Sequence, residues 1–166
     1  FHHLLTLIQR SSEVGIDLEA DSFHHYYTQI CLVQLAIGDK SWIIDPLADQ
    51  IETEQLASSL AGKTLLLHGG DYDLRLMHSL WDFCPTQIFD TAIAARLLGH
   101  RSFGLGHLVK HYFGVQLDKS KQKADWAKRP LTPDLLEYAA GDTAYLIKMV
   151  EIMRDELERM GRTNWA

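Results

Sequence analysis

Two acidic side chains, Asp17 and Glu19, are separated by a single residue in an apolar stretch near the start of the chain. Their alternation with Val14, Ile16 and Leu18 predicts a strand. Side chains two residues apart on a strand share a face, so both carboxylates should point the same way. Taken alone, this spacing is more typical of a solvated edge strand, because like charges repel inside a fold unless a cation binds them.

A third acid, Asp73, lies on a predicted helix that follows a buried strand and a pair of glycines. It precedes Leu76 and Met77 by three and four residues, so it shares their apolar face. The residues alone leave open whether Asp73 is a buried structural group or part of a site. His68 ends the preceding strand and is either a core residue or a group that supports Asp73.

The fourth acid, Asp142, follows Tyr138 by four residues on the last predicted helix. Residues four apart lie on one face of a helix, so these two side chains project together. Leu135, Leu146 and Met149 belong to the same inward side. A hydrogen bond between the tyrosine and the acid inside the core is the alternative to a site.

The elements that must position these residues follow from hydrophobic periodicity and turn residues. Three consecutive strands form a meander, and short strands then alternate with helices, which predicts an α/β layered domain with a mixed sheet. The first strand should lie near the middle of this sheet, because it carries the acids. The predicted strands are 15–21, 30–37, 41–45, 64–67 and 87–89, and the predicted helices are 1–10, 52–60, 71–81, 91–98, 103–113 and 133–160.

Composition limits the function classes. The 166 residues are 46% hydrophobic, which suits a single domain over 1–166 with a real core, and the start at Phe1 suggests a segment of a longer protein. The net charge of −6 counts mildly against a basic nucleic-acid binder, although catalytic acids themselves lower it. No apolar run predicts a membrane span. Cys31 and Cys84 form no metal-ligand spacing, so a reduced, cytoplasmic protein is expected.

The ordered set of motifs resembles the DEDDy 3′–5′ exonucleases and, within them, the ribonuclease D group. The likeness runs from about Val14 to Ile152, and it includes Phe89-Asp90-Thr91 and the stretch from Asp118 to Leu131. The resemblance implies a ribonuclease H-like three-layer fold with a mixed β-sheet flanked by helices. The catalytic residues that it implies are Asp17, Glu19, Asp73 and Asp142 as metal-binding acids and Tyr138 as the residue that orients the attacking water.

The implied chemistry is hydrolysis of phosphodiester bonds from a 3′ end with two Mg²⁺ or Mn²⁺ ions, releasing nucleoside 5′-monophosphates. Ligands that are all oxygen suit these ions rather than zinc. Paired ions of this kind activate a water and stabilise the leaving oxygen. The expected partner is single-stranded or 3′-tailed nucleic acid, with RNA favoured over DNA and no membrane. The same chemistry on DNA, or a catalytically silent binding domain, are the alternatives.

Three further residues are predicted to contact nucleic acid: Phe23, His68 and Arg129. Phe23 follows the acidic strand and could wedge against terminal bases, because aromatic stacking on single strands tolerates any sequence. Arg129 ends a basic run over 119–129, which either contacts phosphates or forms a solvated loop. Trp126 should attach this run to the body of the domain. The ribonuclease D group carries helical domains after its nuclease domain, and these either lie outside this segment or are missing.

Overall fold

A five-stranded mixed sheet forms the centre of the fold in the computed structural model, which describes residues 1–21, 26–48 and 51–165. The strand order is β3-β2-β1-β4-β5, so β1 lies in the middle, as predicted. β1 pairs antiparallel with β2 and parallel with β4. The strands are β1 (Glu13–Ala20), β2 (Ile30–Ile37), β3 (Lys40–Ile44), β4 (Thr64–Leu67) and β5 (Gln87–Asp90).

Helices cover both faces of the sheet and give the three-layer architecture. Apolar residues of β1 such as Ile16 pack on one face against α1, α2 and α3. On the other face, Leu66 of β4 packs against α4, α5 and α7. The helices are α1 (His2–Arg10), α2 (Thr53–Leu60), α3 (Asp71–Trp81), α4 (Thr91–Leu97), α5 (Leu105–Phe113), α6 (Pro133–Ala144) and α7 (Leu146–Arg159), followed by a short 3₁₀ turn at Thr163–Trp165. Within the described ranges, no helix has the length and apolar character needed to cross a membrane.

The last helical region differs from the prediction, because it forms two helices rather than one. The break lies at Tyr145, whose backbone angles (φ −105°, ψ −7°) stay in the right-handed region but depart from those of a regular α-helix. α6 packs on β2 and β3, whereas α7 packs on β4 and α4. A single straight helix could not follow both surfaces. α5 also starts at Leu105, two residues later than predicted.

The start of α7 lies directly over β1 at Gly15. A Cβ atom at this position would lie 3.1 Å from Cβ of Ala36 on β2 and 3.3 Å from Cδ2 of Leu146. Ala36 cannot rotate its Cβ away, because that atom is attached to the neighbouring strand. Gly15 therefore permits the close approach that sets α7, and the end of α6 before it, against the sheet.

We expect Gly15→Ala to lower the free energy of unfolding by about 1–2 kcal/mol, the cost of overpacking less the gain from a stiffer unfolded chain. Gly141→Ala is the matched control. Its added Cβ would lie 3.9 Å from Cδ2 of Leu117, an ordinary van der Waals distance, and alanine inside α6 should raise the free energy of unfolding by about 0.5–1 kcal/mol. Urea unfolding of both variants measures the difference. A Gly15→Ala protein as stable as the wild type would contradict the packing argument.

Candidate active site

Three of the predicted acids meet at the centre of the sheet. Asp17 and Glu19 lie on the face of β1 opposite Ile16 and Leu18, and α6 crosses this face and contributes Asp142. One carboxylate oxygen of each of the three acids lies within 4.8 Å of the others. The strand alternation and the packing of α6 on the sheet therefore place these three carboxylates at one point.

Asp73 lies beside this group. It is the third residue of α3, and its side chain is buried, with 8% of its surface exposed. Among the described residues it is not one of the acids whose oxygens lie within 4.8 Å of one another. Its carboxylate is nevertheless close enough to Asp17 and Glu19 for their charges to interact. The structure thus brings together all four predicted acids, three of them in a tight cluster.

Burial raises the pKa of all four carboxyls. The pKa of Glu19 rises to about 9, through burial and then repulsion from Asp17, Asp142 and Asp73. The pKa of Asp142 rises to about 7, through burial and then repulsion from Asp17. Burial also raises the pKa of Asp17 and of Asp73. A divalent cation would displace protons from such a site, and an all-carboxylate donor set fits a hard cation such as Mg²⁺ or Mn²⁺.

Tyr138 lines the same cleft as the three clustered acids. Its ring centroid is 6.0 Å from that of Trp126. Burial and then the charge of Asp142 raise the pKa of its hydroxyl well above the ordinary value. The phenol is therefore neutral at physiological pH and can hydrogen-bond a water, but it cannot serve as a general base.

Asp90 holds the start of α3, a role that the sequence did not reveal. Its carboxylate accepts hydrogen bonds from the backbone N–H groups of Gly69 and Gly70, both at 2.9 Å. It also caps α4 by accepting from the N–H of Ala92 at 2.8 Å. Because Gly70 directly precedes α3, Asp90 fixes the turn that presents Asp73. No local signal could show this, since the contact depends on the register between β4 and β5.

His68 is held by a second contact between the same two strand ends. Its Nδ1 lies 2.9 Å from Oγ1 of Thr91, and that hydroxyl donates to the carbonyl of Leu67 at 3.0 Å. Nδ1 must therefore carry the hydrogen, which leaves Nε2 as an acceptor. Burial lowers the pKa of His68, which favours this neutral form. The ring lines the cleft, while its predicted contact with nucleic acid stays a prediction.

Gln34 is a second residue that the sequence did not single out. It is fully buried on β2 and is the direct cross-strand partner of Asp17. Among the described residues, neither its amide oxygen nor its amide nitrogen has a hydrogen-bond partner. A buried amide without a hydrogen-bond partner lowers the stability of the fold by about 1–3 kcal/mol. This amide lies directly opposite Asp17. In the sequence, Gln34 lies within an almost wholly apolar strand, so it does not stand out as a site residue.

Arg129 holds a loop in place through its guanidinium, and its predicted contact with nucleic acid stays a prediction. Its guanidinium donates to both carboxylate oxygens of Asp45, at 2.7 and 2.6 Å. It also donates to the carbonyls of Trp126, Lys128 and Cys31, at 2.6, 3.0 and 2.9 Å. All five N–H donors of the guanidinium are used by these contacts, so a phosphate would have to displace one of them.

Two further predictions concern Phe23 and Trp126. Phe23 lies outside the described residues, so its role as a wedge stays a prediction. Trp126 is 1% exposed and packs against Cys31, Leu32 and Ala139, which confirms that it attaches the basic loop to the domain.

Comparison with known proteins shows the family to which this chain belongs. A protein-family model described as 3′-5′ exonuclease matches residues 1–158. The chain is similar to ribonuclease D of Sphingobium indicum, with 37% identity over 162 residues that cover 95% of this chain and 42% of that protein. The chain therefore spans less than half of the length of this relative.

Solved structures show the same fold. The crystal structure of Escherichia coli RNase D, described as an exoribonuclease involved in structured RNA processing, matches with a TM-score of 0.87 and 33% identity. The match covers 96% of this chain and 43% of that one. Brucella melitensis NrnC bound to pGG matches with a TM-score of 0.83 and 30% identity, covering 95% of this chain and 78% of that one.

The raised pKa values predict how stability depends on pH without metal. The folded protein holds more protons on these acids than the unfolded chain, so their contribution is present below about pH 4 and is lost as the pH rises towards 9. We expect Glu19→Gln, measured in excess chelator by thermal unfolding, to remove the alkaline part of this loss. Added Mn²⁺ should raise the melting temperature of the wild type most at alkaline pH. Parallel pH profiles of wild type and variant would contradict the assignment.

Proposed function

Because the chain belongs to the 3′–5′ exonuclease family, we propose that it hydrolyses RNA from the 3′ end and releases nucleoside 5′-monophosphates. The observation that carries the proposal is the cluster of Asp17, Glu19 and Asp142, whose oxygens lie within 4.8 Å of one another. RNA is favoured as the substrate because the relatives include ribonuclease D proteins. The chain spans only 42% of the first of these relatives, so the substrate of the whole protein belongs to this proposal.

We infer that two divalent cations, Mg²⁺ or Mn²⁺, are held by the four acids. Asp17, Glu19 and Asp142 would hold one ion, and Asp73, which lies near Asp17, would help to hold the other. When bound, such ions activate a water and stabilise the leaving 3′ oxygen of the phosphodiester. The raised pKa values support this assignment, because the charged forms of four buried carboxyls need compensation by a cation.

The protein side chains supply orientation. Tyr138 would hydrogen-bond the attacking water and aim it at the phosphorus atom, since its neutral hydroxyl lies on the same cleft. Asp90 and Thr91 would keep Asp73 and His68 in place through their contacts with the end of β4 and the turn after it. His68 would offer Nε2 as an acceptor on the wall of the cleft.

Short oligonucleotides are a second candidate substrate. The structure of Brucella NrnC contains pGG, and the chain covers 78% of that protein, a larger share than of the ribonuclease D proteins. DNA of either length is a further candidate, because no described residue has been assigned to a 2′-hydroxyl. Rates on RNA and DNA of matched sequence, each in a long and a dinucleotide form, rank these substrates.

We expect the wild type to shorten a 5′-labelled RNA one nucleotide at a time in Mg²⁺ or Mn²⁺, and Asp17→Asn to abolish this activity. Asp71→Asn is the matched control, because Asp71 is exposed on α3 and pairs with Arg75 instead of facing the cleft. Gel analysis follows the products. Turnover in excess chelator, cleavage of a circular RNA as fast as a linear one, or an active Asp17→Asn protein would overturn the proposal.

We expect Tyr138→Phe to slow cleavage by about 10²-fold, the lower end of the range for a positioned group, because the metal still activates the water. Phenylalanine keeps the packing against Trp126 and removes only the hydroxyl. Single-turnover cleavage at saturating Mn²⁺ measures the rate, and calorimetry measures metal affinity. An unchanged rate would make Tyr138 a packing residue, and loss of the metals would make it a support for the acids.

A further inference from the structure

Two clefts meet at Tyr138 and Asp142, on either side of the loop that joins α5 to α6. The first, here called the acid cleft, is lined by Asp17, Glu19 and Asp142 and also by Lys119 and Lys123. The second, here called the outer cleft, is lined by Lys121, Asp134 and Glu137 among other residues. Asp142 lines both clefts, so each is a candidate route for a strand to the acids.

The charges favour the acid cleft. Each nucleotide adds one negative charge, and cations bound at the clustered acids would neutralise that end of the cleft. Beyond the acids, two lysines and Asp118 line the acid cleft, whereas one lysine faces Asp118, Asp134 and Glu137 in the outer cleft. Asp118 is occupied within its own turn, since it accepts hydrogen bonds from the N–H of Ser120 at 2.9 Å and from its hydroxyl at 2.6 Å.

Lys119 is guided into the acid cleft by a glycine. A Cβ atom at Gly106, in the first turn of α5, would lie 2.9 Å from Cε and 3.5 Å from Nζ of Lys119. The end of the lysine side chain therefore lies against Gly106, where a larger residue would push it aside. At Gly104, on the same wall, an added Cβ would meet no atom within 4 Å. The small residue at 106 thus has a packing reason that Gly104 lacks.

We propose that Lys119 and Lys123 bind phosphate groups of the nucleic acid strand whose 3′ end lies at the acid cluster, and that Gly106 positions Lys119 for this contact. The proposal rests on the proposed function for the location of the 3′ end. It assigns the strand to the acid cleft rather than to the outer cleft. It also gives the exposed lysines of the basic loop a part in binding, whereas Arg129 of the same loop is used for its attachment.

Binding is tested with a short 5′-fluorescein single-stranded RNA by anisotropy, with all proteins carrying Asp17→Asn to prevent turnover. Lys119→Gln and Lys123→Gln should each weaken binding about fivefold near 0.1 M salt and reduce the slope of log K against log salt by about 0.7. Lys121→Gln in the outer cleft and Lys40→Gln at the far end of the sheet are the matched controls and should change neither quantity. A larger loss with Lys121→Gln, or wild-type slopes for Lys119→Gln and Lys123→Gln, would overturn the proposal.

Gly106→Ala tests the positioning independently. It should weaken binding while Lys119 is present and have no further effect in the Lys119→Gln background, and it should not lower the melting temperature, because alanine suits a helix better than glycine. Equal losses in both backgrounds would overturn the role of Gly106. Cleavage by proteins with Asp17 intact separates this inference from the proposed function. Lysine-dependent binding without release of mononucleotides would refute only the function, and RNA degradation unaffected by both lysine substitutions would refute only the inference.

Discussion

Repulsion among buried carboxyls is the constraint on which the rest of this structure depends. Burial raises the pKa of four acids from β1, α3 and α6, and repulsion among them adds to the effect. Carboxylates in a cluster repel one another, so the apolar packing around them must hold the cluster together. The central position of β1 supplies this support, because hydrogen-bonded strands lie on both sides of it. The cluster therefore destabilises the folded protein, and this loss of stability follows from the divalent-metal use that the family chemistry requires.

Each element that carries a site residue is anchored by a charge-assisted contact. Arg154 of α7 donates to both carboxylate oxygens of Glu13 at the start of β1, at 2.9 and 2.6 Å. Asp90 holds the turn before α3. Arg129 joins the loop before α6 to Asp45 at the end of β3. Such bonds are shorter and stronger than neutral ones, and here they restrain the elements against the repulsion at the centre.

The loop between α5 and α6 contains residues that attach it to the domain and residues that are exposed. Trp126 and Arg129 are bound to the domain through the core and through hydrogen bonds. Lys119 and Lys123 lie exposed on the wall of the acid cleft. One basic stretch of sequence therefore contains residues of two kinds, and its composition alone does not distinguish them. Burial of the tryptophan and saturation of the guanidinium make the distinction.

The sequence by itself determined the strands, most of the helices and the central position of β1, and it selected the four acids with Tyr138 as site candidates. The strands and helices follow from local periodicity, which is a property of neighbouring residues. The site candidates follow from the ordered motifs that resemble the exonuclease family. Only the tertiary structure decided the break at Tyr145, the burial of Gln34 opposite Asp17, and the role of Arg129. Arg129 and Asp45 are 84 residues apart in the chain. Their pairing depends on how the loop and the sheet come together, and no local pattern of residue types carries that information.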